Sequence, residues 1–207
     1  MNSLTSRRPV NSRVPPSSSV VTTSAVVTLL AAVGLVGCGG GGAGAAVSDR
    51  SSYPAGPYGV AQGEVITDLS FSTATDEAFG LADIFADTSK TLLLLSTAAG
   101  WCTACIEEQG AIEELSTIHG PDGLQVMVAL FEDRDYQPAT PALAAEWQQE
   151  HGLTFPVVVD ADFILADYYD EALTPMNMIV DVNTMTILRV STGWDPSAIT
   201  AIIEARL

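Results

Sequence analysis

Two cysteines, Cys102 and Cys105, stand three residues apart in the segment STAAGWCTACIEEQGAIEEL, residues 96–115. Thiols at this spacing on the first turn of a helix lie on one face, so an internal disulfide can close with little backbone movement. The positive end of a helix also lowers a cysteine pKa from about 8.5 into the range of about 3.5 to 7.5. The spacing therefore predicts thiol-disulfide exchange, with Cys102 as the nucleophile and Cys105 as the shielded thiol that resolves the mixed disulfide.

Other interpretations of these residues compete with exchange. A CxxC pair can supply half of a zinc site, but the chain has no second cysteine pair, and its two histidines are single and far apart. A fixed structural disulfide is an open alternative. A peroxidase of the peroxiredoxin type would need Thr or Ser three residues before its cysteine and Pro seven before it, where this chain has Ala99 and Leu95. We predict neither a metal site nor a cofactor.

The residues around the pair predict a strand before it and a helix after it. The run TLLLLS at 91–96 is short and continuously apolar, which is typical of a strand covered on both faces. A helix from near Cys102 is predicted by apolar residues at helical spacing, namely Ile106, Ile112, Leu115 and Ile118. The order strand, CxxC, helix places the dithiol at a helix N-terminus.

The rest of the chain alternates between strand and helix patterns. Strands are predicted at 64–71, 124–131, 155–159, 176–180 and 186–190, and helical segments at 81–85, 141–151, 160–169 and 197–207. The turn-forming DVNT at 181–184 predicts a hairpin between the last two strands. This order predicts an α/β fold, a three-layer sandwich with a mixed central sheet.

WCTAC at a strand-to-helix junction, followed by Thr174-Pro175, resembles the exported TlpA/ResA-like redoxins, which have a thioredoxin-like fold. The resemblance runs from about Glu64 to Leu207 and includes LADIF at 81–85, FPVVVD at 155–160 and TPMNMIVDVNT at 174–184. It implies a thiol-disulfide oxidoreductase with Cys102 and Cys105 as the catalytic pair. It also implies a cis bond before Pro175, which would lie against the dithiol.

Further roles follow from the same resemblance. Thr174-Pro175 are expected to bind substrate, because in these proteins the residue before the proline pairs with an extended substrate segment. Trp101 is interpreted as an apolar lid next to the sulfurs that also contacts substrate. Ser96 stands where many thioredoxins carry a buried acid that shuttles a proton. Glu108, three residues after Cys105, matches a glutamate that often occupies this position in the family and is the candidate for proton transfer.

Composition narrows the choice of partners. The chain has 8 basic and 25 acidic side chains, and the region before Cys38 holds three of the arginines and no acid. Electrostatics in the strongly acidic remainder would oppose binding to nucleic acid or to an anionic membrane surface. The acidic clusters at 132–135 and 160–170 lack the glycine and terminal glutamate of a calcium loop and are interpreted as solvated surface.

The first 38 residues have the three-part layout of an export signal. The apolar core at 25–37 is shorter than the about 20 residues of a membrane span, and LVGC at 35–38 resembles the lipobox of bacterial lipoproteins. We predict a lipoprotein signal peptide over 1–37, an acylated Cys38 beginning a flexible, disordered tether over 38–63, and a thioredoxin-like domain over 64–207. An uncleaved signal anchor is the less fitting alternative.

These patterns together predict a lipid-anchored thiol-disulfide oxidoreductase of the bacterial cell envelope, more a reductase than an oxidase. No Lys, Arg or His lies within ten residues of the dithiol to stabilise its thiolate. The expected partners are thiols and disulfides of exported proteins and an upstream membrane redox protein. The alternative is a non-catalytic envelope lipoprotein that uses the domain for binding and keeps the CxxC as a structural disulfide.

Overall fold

A computed structural model of the chain describes residues 50–207. The predicted signal peptide over 1–37, the predicted acylation site Cys38 and the predicted tether up to residue 49 lie outside the described residues. Of the helices found between residues 50 and 207, none has both the length and the apolarity needed to cross a membrane.

Seven strands and four α-helices alternate through the described residues. In chain order they are β1 (Ser70–Thr73), β2 (Ala78–Gly80), α1 (Leu81–Ala86), β3 (Leu92–Ala99), α2 (Thr103–His119), β4 (Leu124–Glu132), α3 (Pro141–His151), β5 (Val157–Val159), β6 (Met176–Asp181), β7 (Thr186–Thr192) and α4 (Pro196–Arg206). The strands form one mixed sheet in the order β2-β1-β5-β4-β3-β6-β7. Strands β3, β4 and β5 are parallel, and β6 and β7 add to them as an antiparallel hairpin.

Strand β3 lies near the middle of the sheet and is buried along its whole length. Its leucines alternate between two cores, with Leu94 on one face and Leu93 and Leu95 on the other. Helices α2, α3 and α4 pack on the first face and α1 on the second. The structure therefore confirms the predicted three-layer sandwich and explains why the strand sequence is apolar at every position.

The buried face of α2 differs from the predicted one. Ile106 is 36% exposed and Ile118 is 54% exposed, so neither belongs to the core. The inward positions of the helix are instead Cys105, Glu108, Gln109, Ile112 and Leu115. Two of these are polar, and they occupy core positions because the surrounding elements supply hydrogen-bond partners. The apolar pattern therefore places the middle of the helix correctly at Ile112 and Leu115 and fails near both ends, at Ile106 and Ile118.

Two other segments also depart from the predicted pattern. The predicted strand at 64–71 is divided, and only its end belongs to β1. Residues 64–66 instead pair with the start of β7, where the Ile187 N–H donates to the Glu64 carbonyl at 2.8 Å. The predicted helix at 160–169 is a 3₁₀ turn, Ile164–Asp167. Asp160 precedes this turn, and its carboxylate accepts the backbone N–H groups of Ile164 and Leu165 at 2.8 and 3.1 Å.

Residues 50–63, which the composition assigns to the tether, pack on the domain. Arg50 is only 8% exposed, and its guanidinium donates to the carbonyls of Phe85, Asp87 and Lys90 and to the Asn183 side chain. The ring of Tyr53 meets that of Phe85 edge-on, with centroids 5.6 Å apart. The packed domain therefore begins before the predicted boundary at Glu64, because one buried cation fixes a segment whose composition is otherwise that of a linker.

We expect Arg50→Ala to lower the free energy of unfolding by about 2 to 4 kcal/mol, because it leaves the carbonyls of Phe85, Asp87 and Lys90 without this donor. The matched control is Arg206→Ala, which breaks an exposed ion pair with Asp181 at 3.4 Å and should cost at most about 1 kcal/mol. Urea unfolding of both variants measures the difference. Equal losses would show that the segment before Glu64 does not stabilise the domain.

Candidate active site

The two cysteines of the CxxC form a disulfide at the start of α2, with their Cα atoms 5.3 Å apart. Cys102 is the N-cap residue of the helix, and its sulfur accepts the backbone N–H of Cys105 at 3.1 Å. In the reduced protein this N–H and the helix N-terminus would stabilise negative charge on the Cys102 sulfur. The predicted placement of the dithiol on the first turn of a helix is confirmed.

The two cysteines differ in exposure. Cys102 is 5% exposed, whereas Cys105 is fully buried. The remaining exposure of Cys102 is small, but it makes Cys102 the only one of the two that solvent reaches in the disulfide form. This asymmetry is the one that a nucleophile and a resolving thiol require.

The junction between β3 and α2 is held by a close approach of backbones at Gly100. Its N–H donates to the Glu132 carbonyl at 2.8 Å, and a Cβ at this position would lie 2.7 Å from the backbone nitrogen of Arg134. No larger residue fits there without moving the loop after β4. The dithiol is thereby fixed at the carboxyl ends of β3 and β4, the edge of a parallel sheet where active sites usually lie.

Trp101 is held beside Cys102 by contacts with the end of β4 and the following loop. Its indole N–H donates to the Glu132 carboxylate at 2.7 Å, and its ring stacks on Tyr136 with centroids 5.3 Å apart. Tyr136 is 64% exposed. The sequence pattern does not reveal Glu132 or Tyr136 as neighbours of the site, because Glu132 ends β4 and Tyr136 follows it, and this strand is distant from Trp101 in the chain. Whether Trp101 contacts substrate stays a prediction.

The peptide bond between Thr174 and Pro175 is cis, as the family resemblance implies. The Thr97 hydroxyl of β3 accepts the N–H of Met176 at 2.9 Å and lies 3.4 Å from the Thr174 hydroxyl. These contacts bring Thr174-Pro175 to the same end of β3 as the dithiol. Their role in substrate binding stays a prediction.

Glu108 is 2% exposed and lies one helical turn after Cys105 on the inward face of α2. The Ser96 hydroxyl donates to one carboxylate oxygen at 2.8 Å, and the Asn177 amide donates to the other at 3.3 Å. Burial raises the pKa of Glu108 to about 7, while the hydrogen bonds from Ser96 and Asn177 oppose this rise. The carboxyl can therefore change its protonation near neutral pH.

Gln109 and Trp147 form a second buried polar contact behind the dithiol. The Gln109 amide donates to the Cys105 carbonyl at 2.8 Å and accepts the Trp147 indole N–H at 3.2 Å. This chain of bonds ties α3 to the first turn of α2. Nothing in the sequence pattern points to it, since glutamine on a helix is usually exposed.

The acidic clusters are less uniformly solvated than predicted. Asp160 is 4% exposed, and burial raises its pKa, although its bonds to Ile164 and Leu165 lower it. Asp133 accepts the N–H groups of Asp135 and Gln137 and so shapes the loop after β4. Within residues 50–207 no three His, Cys, Asp or Glu side chains are grouped closely enough to hold a metal ion.

Comparison with known proteins agrees with this architecture. The model of the AhpC/TSA family matches residues 62–190. No curated protein matches the chain significantly.

Three solved structures show the fold. A thioredoxin-family thiol:disulfide interchange protein of Chlorobium tepidum is 16% identical, with 67% of this chain and 92% of that chain covered and a TM-score of 0.53. A DsbF homologue of Corynebacterium diphtheriae is 19% identical, with 69% and 86% covered and a TM-score of 0.56. The exposed lipoprotein thioredoxin of Streptococcus pneumoniae is 18% identical, with 67% and 99% covered and a TM-score of 0.52.

We expect Glu108 to make stability depend on pH in a defined direction. Its pKa is about 7 in the folded protein and 4.5 in an unfolded chain, so the folded protein binds this proton more tightly. The stabilisation that this proton provides is fully present below pH 4.5 and is lost as the pH rises through about 7. Over that window the loss should reach about 3 kcal/mol.

The measurement is urea unfolding of the oxidised protein from acid to weakly alkaline pH, compared with Glu108→Gln. The variant lacks the titrating group, so its stability relative to wild type should rise across this window. Glu107→Gln, an exposed neighbour on the same helix, controls for the removal of a negative charge. Parallel profiles for wild type and Glu108→Gln would contradict the expectation.

Proposed function

The chain belongs to the AhpC/TSA family and has a thioredoxin-like fold, and on that premise we propose that it is a thiol-disulfide oxidoreductase acting on exported proteins. The observation that carries the proposal is the disulfide between Cys102 and Cys105 at a helix N-terminus, with only Cys102 open to solvent. This arrangement can cycle between a dithiol and a disulfide while one sulfur meets a partner.

In the proposed reaction the reduced protein attacks a disulfide of its substrate. The Cys102 thiolate forms a bond to one substrate sulfur, and the substrate disulfide breaks, releasing the first substrate thiolate. Cys105 then loses its proton and attacks the Cys102 sulfur, which forms the internal disulfide and releases the second substrate thiolate. Two electrons pass from the two cysteines to the substrate. The cysteines also lose two protons, and the two substrate thiolates take up the same number.

Glu108 is the proposed acceptor of the Cys105 proton. It lies three residues after Cys105 on the inward face of α2, and both side chains are buried, so water cannot readily serve as the base. A carboxyl with a pKa near 7 suits this role, because general bases work best close to the operating pH. Trp101, Thr174 and Pro175 are proposed to form the surface on which the substrate segment lies.

The proposed direction is reduction. The helix N-terminus and the Cys105 N–H stabilise the Cys102 thiolate, and no Lys, Arg or His lies within ten residues of the pair along the chain. Arg134, whose backbone lies against Gly100, pairs its guanidinium with Glu150 at 3.6 Å. The carboxylate of Glu132, bound to Trp101, adds negative charge beside the site. A dithiol becomes oxidising when its reduced form is stabilised, so weak stabilisation favours a reducing couple.

Two other functions have less support. A peroxidase of the peroxiredoxin type needs hydroxyl and proline residues at positions that are Ala99 and Leu95 here, both buried in β3. A binding module with a fixed disulfide does not account for a buried carboxyl of raised pKa next to the resolving cysteine, because such a group costs stability at neutral pH.

The proposed location is the bacterial cell envelope, with Cys38 acylated. The LVGC sequence at 35–38 supports this, and so does the description of the Streptococcus pneumoniae structure as an exposed lipoprotein thioredoxin. An envelope location would give the dithiol access to exported proteins that carry disulfides. It would also require an upstream membrane redox partner to reduce the Cys102–Cys105 disulfide again.

We expect Cys105→Ser to accumulate mixed disulfides with its substrates, because the thiol that releases them is missing. The measurement is non-reducing electrophoresis of the epitope-tagged full-length protein, with mass spectrometry of the captured proteins. Insulin reduction by Cys105→Ser and by Cys102→Ser should fall about 100-fold or more.

The matched control is Cys102→Ser, which should trap nothing because the exposed sulfur is absent. Insulin reduction at wild-type rate by both variants would exclude catalysis and favour the binding module. Captured proteins without a signal peptide would contradict the proposed envelope substrates.

We expect Cys38→Ser to prevent acylation and to move the protein from the membrane fraction to the soluble fraction of the envelope. Acyl chains hold a protein at the bilayer by burial of their methylene groups, and the acidic domain offers no electrostatic substitute. Labelling with radioactive palmitate and membrane fractionation measure both effects. Label retained in the variant would show that Cys38 is not the acylated residue.

A further inference from the structure

Glu108 sits between two uncharged side chains from neighbouring strands. Ser96 of β3 and Asn177 of β6 are 0% and 1% exposed, and each donates to a different oxygen of the carboxylate. Backbone pairing places Ser96 directly opposite Asn177 in the sheet. The two donors are therefore held at a fixed separation by the β3–β6 ladder, and the carboxylate of α2 is aimed at the gap between them.

Both residues act as donors in this arrangement. A carboxylate accepts hydrogen bonds at each of its oxygens, so the two bonds favour the ionised form of Glu108. The Asn177 amide nitrogen also donates to the Gly193 carbonyl at 3.3 Å, which holds the amide with its nitrogen towards the carboxylate. The bonds from Ser96 and Asn177 lower the pKa of Glu108 against the rise that burial causes.

We propose that Ser96 and Asn177 are positioning residues that hold Glu108 for proton exchange with Cys105 by donating hydrogen bonds that favour its ionised, proton-accepting form. This inference rests on the proposed function, because it assigns a role in the second step of the exchange. In that step the Cys105 thiol gives its proton to the Glu108 carboxylate, and the Cys105 sulfur then bonds to Cys102 while the substrate thiolate leaves.

Ser96 therefore supports proton transfer through Glu108, whereas an acid is the residue that many thioredoxins carry at this position. Where an acid at this site in β3 would itself carry the proton, the Ser96 hydroxyl supports a carboxyl that approaches from α2. The groups facing Glu108 from β3 and β6 are both neutral, so hydrogen bonding and burial, and not an ion pair, control its protonation.

The test is the pH dependence of Cys105 attack, followed in a stopped-flow reaction of the reduced full-length protein with dithiobis(nitrobenzoate). Attack by Cys102 releases the first coloured thiolate, and attack by Cys105 on the resulting mixed disulfide releases the second. In the wild type the second phase should accelerate through a pH midpoint set by Glu108. Ser96→Ala removes a donor to the carboxylate, so this midpoint should rise by about one pH unit. Below the midpoint the second phase should then be about tenfold slower.

Asn177→Ala should shift the midpoint in the same direction by a smaller amount, because its bond is longer, and it decides the test if Ser96→Ala does not fold. Ser197→Ala, an exposed serine on α4, is the matched control and should keep the wild-type midpoint. If the pH midpoint of the second phase is unchanged in both buried variants, the proposal is overturned. If only one variant shifts the midpoint, the other residue is not a positioning residue. Failure of the wild type to release either thiolate would instead refute the proposed exchange activity.

Discussion

Strand β3 must leave the sheet and become α2 within a few residues, and the active-site geometry depends on that junction. The strand is covered on both faces, so its direction is fixed by the two cores. Gly100 allows the chain to touch the backbone after β4, where a Cβ would collide. The first turn of α2 consequently starts at the sheet edge with Cys102 as its cap. A larger residue at position 100 would displace both sulfurs together.

The side of α2 that faces the sheet is unusual in carrying polar groups into the core. Glu108 and Gln109 are buried, and their bonds reach β3, β6 and α3. Burying a carboxyl in this way is expensive unless it is protonated or hydrogen-bonded. Both groups lie within one helical turn after Cys105. Buried groups with a raised pKa often mark functional sites for this reason.

The β3–α2 junction and the buried polar groups of α2 give the two cysteines different exposure and different neighbours. Cys102 caps the helix at the surface and receives the backbone N–H of Cys105, whereas Cys105 is enclosed against the core beside the buried carboxyl. One sulfur is therefore suited to meeting a partner and the other to resolving the product. The Glu132 carboxylate near the site adds negative charge, and the arginine whose backbone lies against Gly100, Arg134, is paired with Glu150. Both are consistent with reduction as the proposed direction.

The amino-acid sequence by itself determined the existence and order of most elements, because the apolar run of β3, the helical repeat of α3 and the β6–β7 turn are local patterns. It also placed Cys102 and Cys105 on one helical turn, since spacing alone decides that. The buried face of α2, the packing of Arg50 and the Ser96–Glu108–Asn177 contact were decided only by tertiary structure. In each case a polar side chain is buried by partners distant in the chain, and no local pattern reveals whether a polar residue will find such partners.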